Sequence, residues 1–414
     1  MRTQLSPELA HSAEGNEAAA ILRKCVHCGF CNATCPTYRL LGDELDGPRG
    51  RIYLIKQMLE GAEVSRRTQM HLDRCLTCRN CETTCPSGVE YGRLIDIGRR
   101  LVDARVARAP LDRLRRFLLR EGLNSRGFAT AVALGRRLRR LLPRSLRARL
   151  APPPPAASPA ALPAAGIDRA RRVLLLAGCV QPALLPNIDR ATVRVLAAAG
   201  IEARFAAASG CCGALREHLS DHGGALAAMR RNVDAWWPAL AAGEVEAIVV
   251  NASACALAVK SYAQALAPDP AYAAKAAAIG AATRDLSELL PDLVPRLREH
   301  LRAPPAGGPL AYHAPCTLQH GQRLVGGVET HLRSLGFDVR PPVRDAQQCC
   351  GSAGAYSILE PAISTRLREQ KLAALAATGA AAIVSANVGC ILHLSAGAAR
   401  PVRHWIELLD EALI

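Results

Sequence analysis

Short apolar runs separated by longer helical stretches organise the second half of the chain. The runs are Arg172 to Ala177, Ile201 to Phe205, Ala247 to Val250, Pro309 to Tyr312, Phe337 to Arg340 and Ala382 to Ser385. Strands of this length alternating with helices predict α/β units with parallel pairing. The first half reads differently. Residues 1–24 mix acids and polar residues with apolar ones, the pattern of a helix rather than of an apolar leader. Further on, Leu111, Leu114, Phe117, Leu118 and Leu119 recur at roughly helical spacing. The last apolar stripe, Trp405 to Leu413, predicts a closing helix that packs inward, as does Trp236-Trp237. Between Lys371 and Arg400 the chain is uncharged, but Ala-rich and broken by Gly379, Asn387, Gly389, His393 and Gly397. That argues against a membrane span and for a helix end, a buried strand and a loop carrying a cysteine.

Charge and proline place the boundaries. From Arg93 to Arg149 there are seventeen Arg against four acids, most of the chain's net charge of +16. With its leucines this segment suits an anionic membrane surface or an acidic partner, while a solvated helix pair or a basic linker fits the same pattern. Nucleic acid is not expected, because no aromatic interleaving or binding motif accompanies the charge. Residues 151–166 hold Pro152 to Pro155 and Pro159 and Pro163, an extended linker. The expected organisation is thus 1–108, 109–170 as basic segment plus linker, 171–306 and 307–414.

Cysteine is the informative residue. Eight of sixteen fall in two copies of one spacing, Cys25-x-x-Cys28-x-x-Cys31-x-x-x-Cys35-Pro36 and Cys75-x-x-Cys78-x-x-Cys81-x-x-x-Cys85-Pro86. Three thiolates spaced in this way wrap one face of a cubane, so the fourth comes from elsewhere. The spacing resembles that of two-cluster bacterial ferredoxins, in which the last Cys of each run ligates the other cluster. The resemblance implies two 4Fe-4S clusters, one on Cys25, Cys28, Cys31 and Cys85, the other on Cys75, Cys78, Cys81 and Cys35. Zinc takes Cys-x-x-Cys pairs too, but as two spaced pairs per site. Reduced thiolates, with no export signal recognised, point to a cytoplasmic protein.

The other eight cysteines form an internal repeat. Cys179 follows one strand, Cys211-Cys212-Gly213 begins 32 residues later, and Cys255 lies 43 beyond Cys212. In the second copy Cys316 precedes Cys349-Cys350-Gly351 by 33 residues, and Cys390 follows Cys350 by 40. Cysteines just past strand ends lie where open α/β sheets form their ligand crevice. Isolated Cys act as small buried hydrophobes, which does not account for a repeated register. Gly213 and Gly351 are expected to let the backbone approach a bulky cofactor. These cysteines are candidates for a further iron-sulfur or zinc centre.

The repeats resemble the cysteine-rich domains of heterodisulfide reductase and its relatives. The fuller pattern of that family ends in Cys-x-x-Cys, whereas Cys255 and Cys390 stand alone, one thiolate fewer per repeat. The whole arrangement resembles the family of bacterial glycolate oxidase (glycolate dehydrogenase) iron-sulfur subunits. The supporting segments include Gly47-Pro-Arg-Gly-Arg-Ile52, Leu176-Ala-Gly-Cys-Val-Gln-Pro182, Asn232-Val-Asp-Ala-Trp-Trp237 and Pro401-Val-Arg-His-Trp-Ile-Glu-Leu408. The related subunits of lactate-utilisation enzymes and of anaerobic glycerol-3-phosphate dehydrogenase fit these segments less well. The fold implied is a helical two-cluster ferredoxin domain followed by two α/β Cys-Cys-Gly domains. The function implied is electron transfer from flavin-containing subunits, which oxidise glycolate to glyoxylate, toward a membrane quinone. The chain would then sit on the inner face of the cytoplasmic membrane and carry no catalytic residue. A thiol redox enzyme acting on disulfides is the alternative that the Cys-Cys-Gly likeness offers.

No Gly-x-Gly-x-x-Gly follows a strand and opens a helix, so neither flavin nor NAD is expected on this chain. Arg49 and Arg51, between the ferredoxin runs, are candidates for tuning cluster potential, with docking or a surface salt bridge as the competing role. His313, three residues before Cys316, could ligate metal, bond a cluster sulfur or sit as a capped loop histidine. His27 and His71 read equally well as tuning residues or solvated loop positions.

Overall fold

The computed structural model describes residues 1–125, 127–141, 171–302 and 308–414. The proline-rich linker and the end of the basic segment lie outside the described residues.

The fold is α/β, with a helical N-terminal part and two parallel sheets. In the first sheet β1 (Arg172–Leu175), β2 (Glu202–Phe205), β3 (Ala247–Val250) and β4 (Thr283–Asp285) run in the order β2-β1-β3-β4. The second repeats this order with β5 (Leu310–His313), β6 (Val339–Arg340), β7 (Ala382–Ser385) and β8 (Val402–His404), as β6-β5-β7-β8. All pairings are parallel. Strands β3 and β7 occupy their apolar runs residue for residue. The edge strands β4 and β8 lie outside any such run, because Thr-Arg-Asp and Val-Arg-His carry polar residues that only an edge tolerates.

Side-chain alternation assigns the two faces of the first sheet. Val173, Leu175, Ala247 and Val249 enter a core shared with β5 and β7 of the second sheet, whereas Leu174, Ile248 and Val250 face a separate core around Trp236 and Tyr262. The repeats are therefore fused through a common interior. The Pro186–Ala198 helix and the closing Trp405–Ala412 helix pack together, with an Arg194 to Asp410 ion pair between them. The cysteine-bearing helices also meet, since Ser253 N–H donates to Ala386 O (3.1 Å) and Ser253 and Thr317 hydroxyls pair at 2.8 Å.

In the N-terminal part, the Ala13–Lys24, Pro48–Leu59 and Tyr91–Arg105 helices bury Leu22, Ile55, Leu59, Leu94 and Ile95 around the cysteine loops. Two of these helices have favourable starts. Ser12 caps Gly15 N–H, and Pro48 occupies the first turn, where its missing donor is not needed. Much of the basic segment turns inward. Arg93 pairs with Glu17, Arg100 with Glu14 and Glu217, and Arg108 and Arg116 with Asp73. The Pro110–Asn124 helix leaves Leu111, Leu114, Phe117 and Leu118 exposed.

Candidate metal centres

Each ferredoxin run folds as a tight loop, one short helix and a proline. In the first, His27 (φ 59°) and Gly29 (φ 89°) take left-handed conformations, and Thr77 (φ 51°) and Arg79 (φ 59°) do so in the second. Non-glycine residues at positive φ cost roughly 1–2 kcal/mol each, so the loops are held there by their surroundings, as functional loops often are. The Phe30–Thr34 and Asn80–Thr84 helices follow and pack on each other. Each ends at its fourth cysteine, and Pro36 and Pro86 come next.

This packing carries the fourth cysteine of each run across to the other. A recess of about 450 Å³ is walled by Cys25, Cys28, Cys31 and Cys85, and one of about 300 Å³ by Cys35, Cys75, Cys78 and Cys81. Cys81 also touches the first. The chemistry of the donors fits iron-sulfur clusters. Burial pushes the Cys78 and Cys81 thiols far up, and Cys31 is pushed up to about 11 by burial and by Cys25. Thiols so crowded and desolvated ionise only against a compensating cation. Donors already face the sulfurs: the Thr37 hydroxyl lies 3.3 Å from Cys35 Sγ, Thr77 N–H 3.4 Å from Cys75 Sγ and Tyr91 Oη 3.7 Å from it.

Arg49 and Arg51 part company. Arg49 lines the first recess, half-buried, with Nε 2.6 Å from Glu44. Arg51 is fully buried against the second and donates to Thr37 Oγ1, His71 O and Asp46 Oδ1. A docking role is thereby excluded for Arg51. His71 is not a solvated loop residue either: it is buried on the Arg66–Asp73 helix, its Nδ1 3.0 Å from Asp46 Oδ1. Asp46, facing Arg51, Arg74 and His71, was not singled out by sequence; behind the second recess its carboxylate pairs with the buried Arg51 and the half-buried Arg74.

In the repeats, the strand ends and the Cys-Cys-Gly turns bring each set of four together. All four are free cysteines, with hydrogen bonds joining Cys211 to Cys179 and Cys212, and Cys212 to Cys255. Those bonds favour the Cys211 thiolate and hold its two partners as thiols. In the second set Cys316 and Cys349 sulfurs lie 3.8 Å apart, and hydrogen bonds join the free Cys350 to Cys349 and Cys390. Gly351 N–H points at Cys349 Sγ (3.4 Å) and Asn387 Nδ2 at Cys390 Sγ (3.4 Å). His313, the last residue of β5, is buried beside Cys350 and Cys390, with its pKa held well below the usual imidazole value by burial and by Lys371.

The glycines of both turns also serve packing. A Cβ on Gly351 would lie 2.6 Å from Ser364 O and one on Gly213 would lie 3.0 Å from Ala225 O. Each would meet backbone of a nearby helix, Ala225 in His222–Ala241 and Ser364 in Pro361–Ala376, so the glycines let the turns pack against those helices. Lys371 is a buried cation beside the second cysteine set that sequence reading missed. It is buried near Cys316, Cys349 and Cys350, with its ammonium donating to Asp345 O and Ala346 O. Its signal was a lone cation on the Leu367, Lys371, Leu375 stripe.

The geometry defines a class: an iron-sulfur protein with a two-cluster ferredoxin fold joined to paired cysteine-rich α/β repeats. Family models agree, matching a 4Fe-4S dicluster domain at residues 21–89 and a cysteine-rich domain at 173–260 and 310–395. The chain is 50% identical over 421 residues to the glycolate oxidase iron-sulfur subunit of Escherichia coli (strain K12), covering 100% of this chain and 99% of that protein. It is 32% identical to the probable glycolate oxidase iron-sulfur subunit of Bacillus subtilis (strain 168), over 94% of each. Lactate utilization protein A of Bacillus pumilus (strain SAFR-032) is 26% identical over 58% of this chain. The chain belongs to the family of glycolate oxidase iron-sulfur subunits. Among the described residues no helix is long and apolar enough to cross a membrane.

Proposed function

We propose that this chain is the electron-transfer subunit of a membrane-associated glycolate dehydrogenase complex, placed between flavin-containing subunits and a quinone. Cys25, Cys28, Cys31 and Cys85 would hold one 4Fe-4S cluster, and Cys75, Cys78, Cys81 and Cys35 a second. Such clusters accept and release single electrons without making or breaking substrate bonds. The eight cysteines of the repeats would hold further metal.

The observation that carries this reading is an apolar contact. Leu76 and Cys78 from the second recess share a buried cluster with Cys349, Tyr356, Ile363 and Leu367, with Cys316 packed against it. Sulfur sites of two domains thus adjoin through a dry interior. At the opposite end the first recess meets solvent, where Cys28 is exposed and Val26 and Phe30 are 70% and 62% exposed. An apolar rim around an exposed sulfur suits a partner subunit's docking. The Pro110–Asn124 helix supports peripheral membrane contact, since Arg113 and Arg115 flank its exposed leucines.

Cys78→Ser tests the reading in the assembled complex. It should abolish glycolate-dependent quinone reduction while flavin reduction by glycolate persists. Undiminished quinone reduction in that variant would refute it.

A further inference from the structure

The two repeats share strand order, cysteine register and the Cys-Cys-Gly turn, yet they differ just behind their first cysteine. Three residues before Cys179 stands Leu176; three before Cys316 stands His313. Both are buried, at 4% and 1% exposure. Leucine suits such a position. An imidazole does not, unless its nitrogens find partners, because an unsatisfied buried polar group costs about 1–3 kcal/mol.

Neither ring nitrogen of His313 has a hydrogen-bond partner among the described residues. Ser385, its neighbour across the β5–β7 pairing, donates to the His313 backbone carbonyl and leaves the ring alone. A ring nitrogen of His313 and the sulfurs of Cys350 and Cys390 all lie within 4.8 Å of one another. Three buried ligand atoms, on a strand end, a turn and the Val388–Ser395 helix, have the composition of a borderline-soft transition-metal site. Cys349 and Cys316, whose sulfurs lie 3.8 Å apart, stand beside it, with Cys349 hydrogen-bonded to Cys350.

We infer that His313 is a metal ligand, so that the second repeat holds a mixed nitrogen-sulfur centre on His313, Cys350 and Cys390 with its remaining cysteines, while the first repeat offers sulfur alone. Zinc and an iron of an iron-sulfur cluster share this ligand chemistry. The inference rests on the reading that the repeats hold metal. It also accounts for the missing thiolate of the second repeat, whose place in the donor count the imidazole takes.

The test uses the full chain purified anaerobically, with iron, zinc and sulfide counted per chain. Pulsed EPR then looks for a strongly coupled imidazole nitrogen, and zinc-edge X-ray absorption looks for imidazole scattering. Two ferredoxin cubanes give neither signal. The wild type should carry metal beyond those cubanes and show one of the two signatures, which also separates iron from zinc. His313→Leu, which installs the first repeat's residue, should lose that signature and the metal of one centre while the ferredoxin EPR signals persist. His313→Cys should regain the metal without the nitrogen. Extra metal with no imidazole signature, or a signature that survives His313→Leu, overturns the assignment of His313. A total no greater than two cubanes require overturns instead the reading that the repeats hold metal, and the inference falls with it.

Discussion

Gly351→Ala separates two accounts of the Cys-Cys-Gly turn. Gly351 has φ +89°, and an added Cβ would sit 2.6 Å from Ser364 O and 3.0 Å from Leu367 Cβ. The left-handed conformation alone costs alanine about 1–2 kcal/mol. Forcing the turn away from the Pro361–Ala376 helix adds about 1–3 kcal/mol, the usual range for overpacking, and stretches the 2.7 Å bond from Ser364 Oγ to Gly351 O. Gly354 provides the control, because its φ is +62° and nothing lies within 4 Å of its added Cβ. Gly354→Ala should therefore show only the conformational part, leaving a gap of about 1–3 kcal/mol between the variants. Urea unfolding of the metal-free chain, followed by tryptophan fluorescence, measures it, since Trp405 is fully buried in the shared core. Equal stabilities for the two variants would refute the argument. Normal stability with a selective loss of bound metal in Gly351→Ala would restore the view that the glycine makes room for a cofactor.

Two more outcomes follow from burial and exposure. His404 is buried in its neutral form, its pKa held down to about 3 from the usual 6.5 by desolvation. The unfolded chain takes up that proton first, so the contribution is fully present above pH 6.5 and is lost toward about pH 3, at roughly 1.4 kcal/mol per pH unit. His404→Asn keeps an acceptor for Ile406 N–H, which His404 Nδ1 now receives at 3.1 Å, and should flatten this acid slope in urea unfolding; parallel pH profiles would contradict the account. Leu114 and Phe117 are 52% and 50% exposed on the basic Pro110–Asn124 helix. Leu114→Glu with Phe117→Glu should weaken sedimentation with anionic phosphatidylglycerol vesicles about tenfold, or ~1.4 kcal/mol, with little effect on unfolding. Unchanged vesicle binding would remove this helix from the membrane contact.

How much of this was legible depended on where each signal resides. Ala247–Val250 and Ala382–Ser385 could be read because a parallel strand covered on both faces is continuously apolar. Thr283–Asp285 and Val402–His404 could not, since their strand state comes from pairing with β3 and β7 rather than from composition. Cysteine spacing carried the recesses, because the loop and short helix between ligands have fixed lengths. The partners of those cysteines were not legible. Asp46 and His71 lie 25 residues apart in sequence and meet only when the Glu44–Asp46 turn and the Arg66–Asp73 helix fold around Arg51. The packing role of Gly351 was not legible for a similar reason, as the atom that excludes a side chain belongs to Ser364, thirteen residues on.

The two repeats look alike as backbones but meet the ferredoxin part through different physics. The first repeat is tied by charges at its surface, Glu217 to Arg100 and Arg216 to Glu121, with Gln264 reaching Glu17. Such partly exposed pairs contribute little and weaken with salt. The second repeat is tied by the apolar cluster of Leu76, Cys78, Cys349, Tyr356, Ile363 and Leu367, which excludes water and resists screening. Its polar contacts flank that cluster rather than interrupt it: Tyr356 Oη donates to Arg74 O at 3.2 Å, Asn80 Nδ2 to Gln347 O at 3.3 Å, and Thr83 Oγ1 pairs with His320 Nδ1 at 2.9 Å. The second repeat, with its histidine and buried lysine, thus meets the ferredoxin part through an apolar interior, whereas the first, fused to the second through their shared core, meets it through charged contacts at the surface.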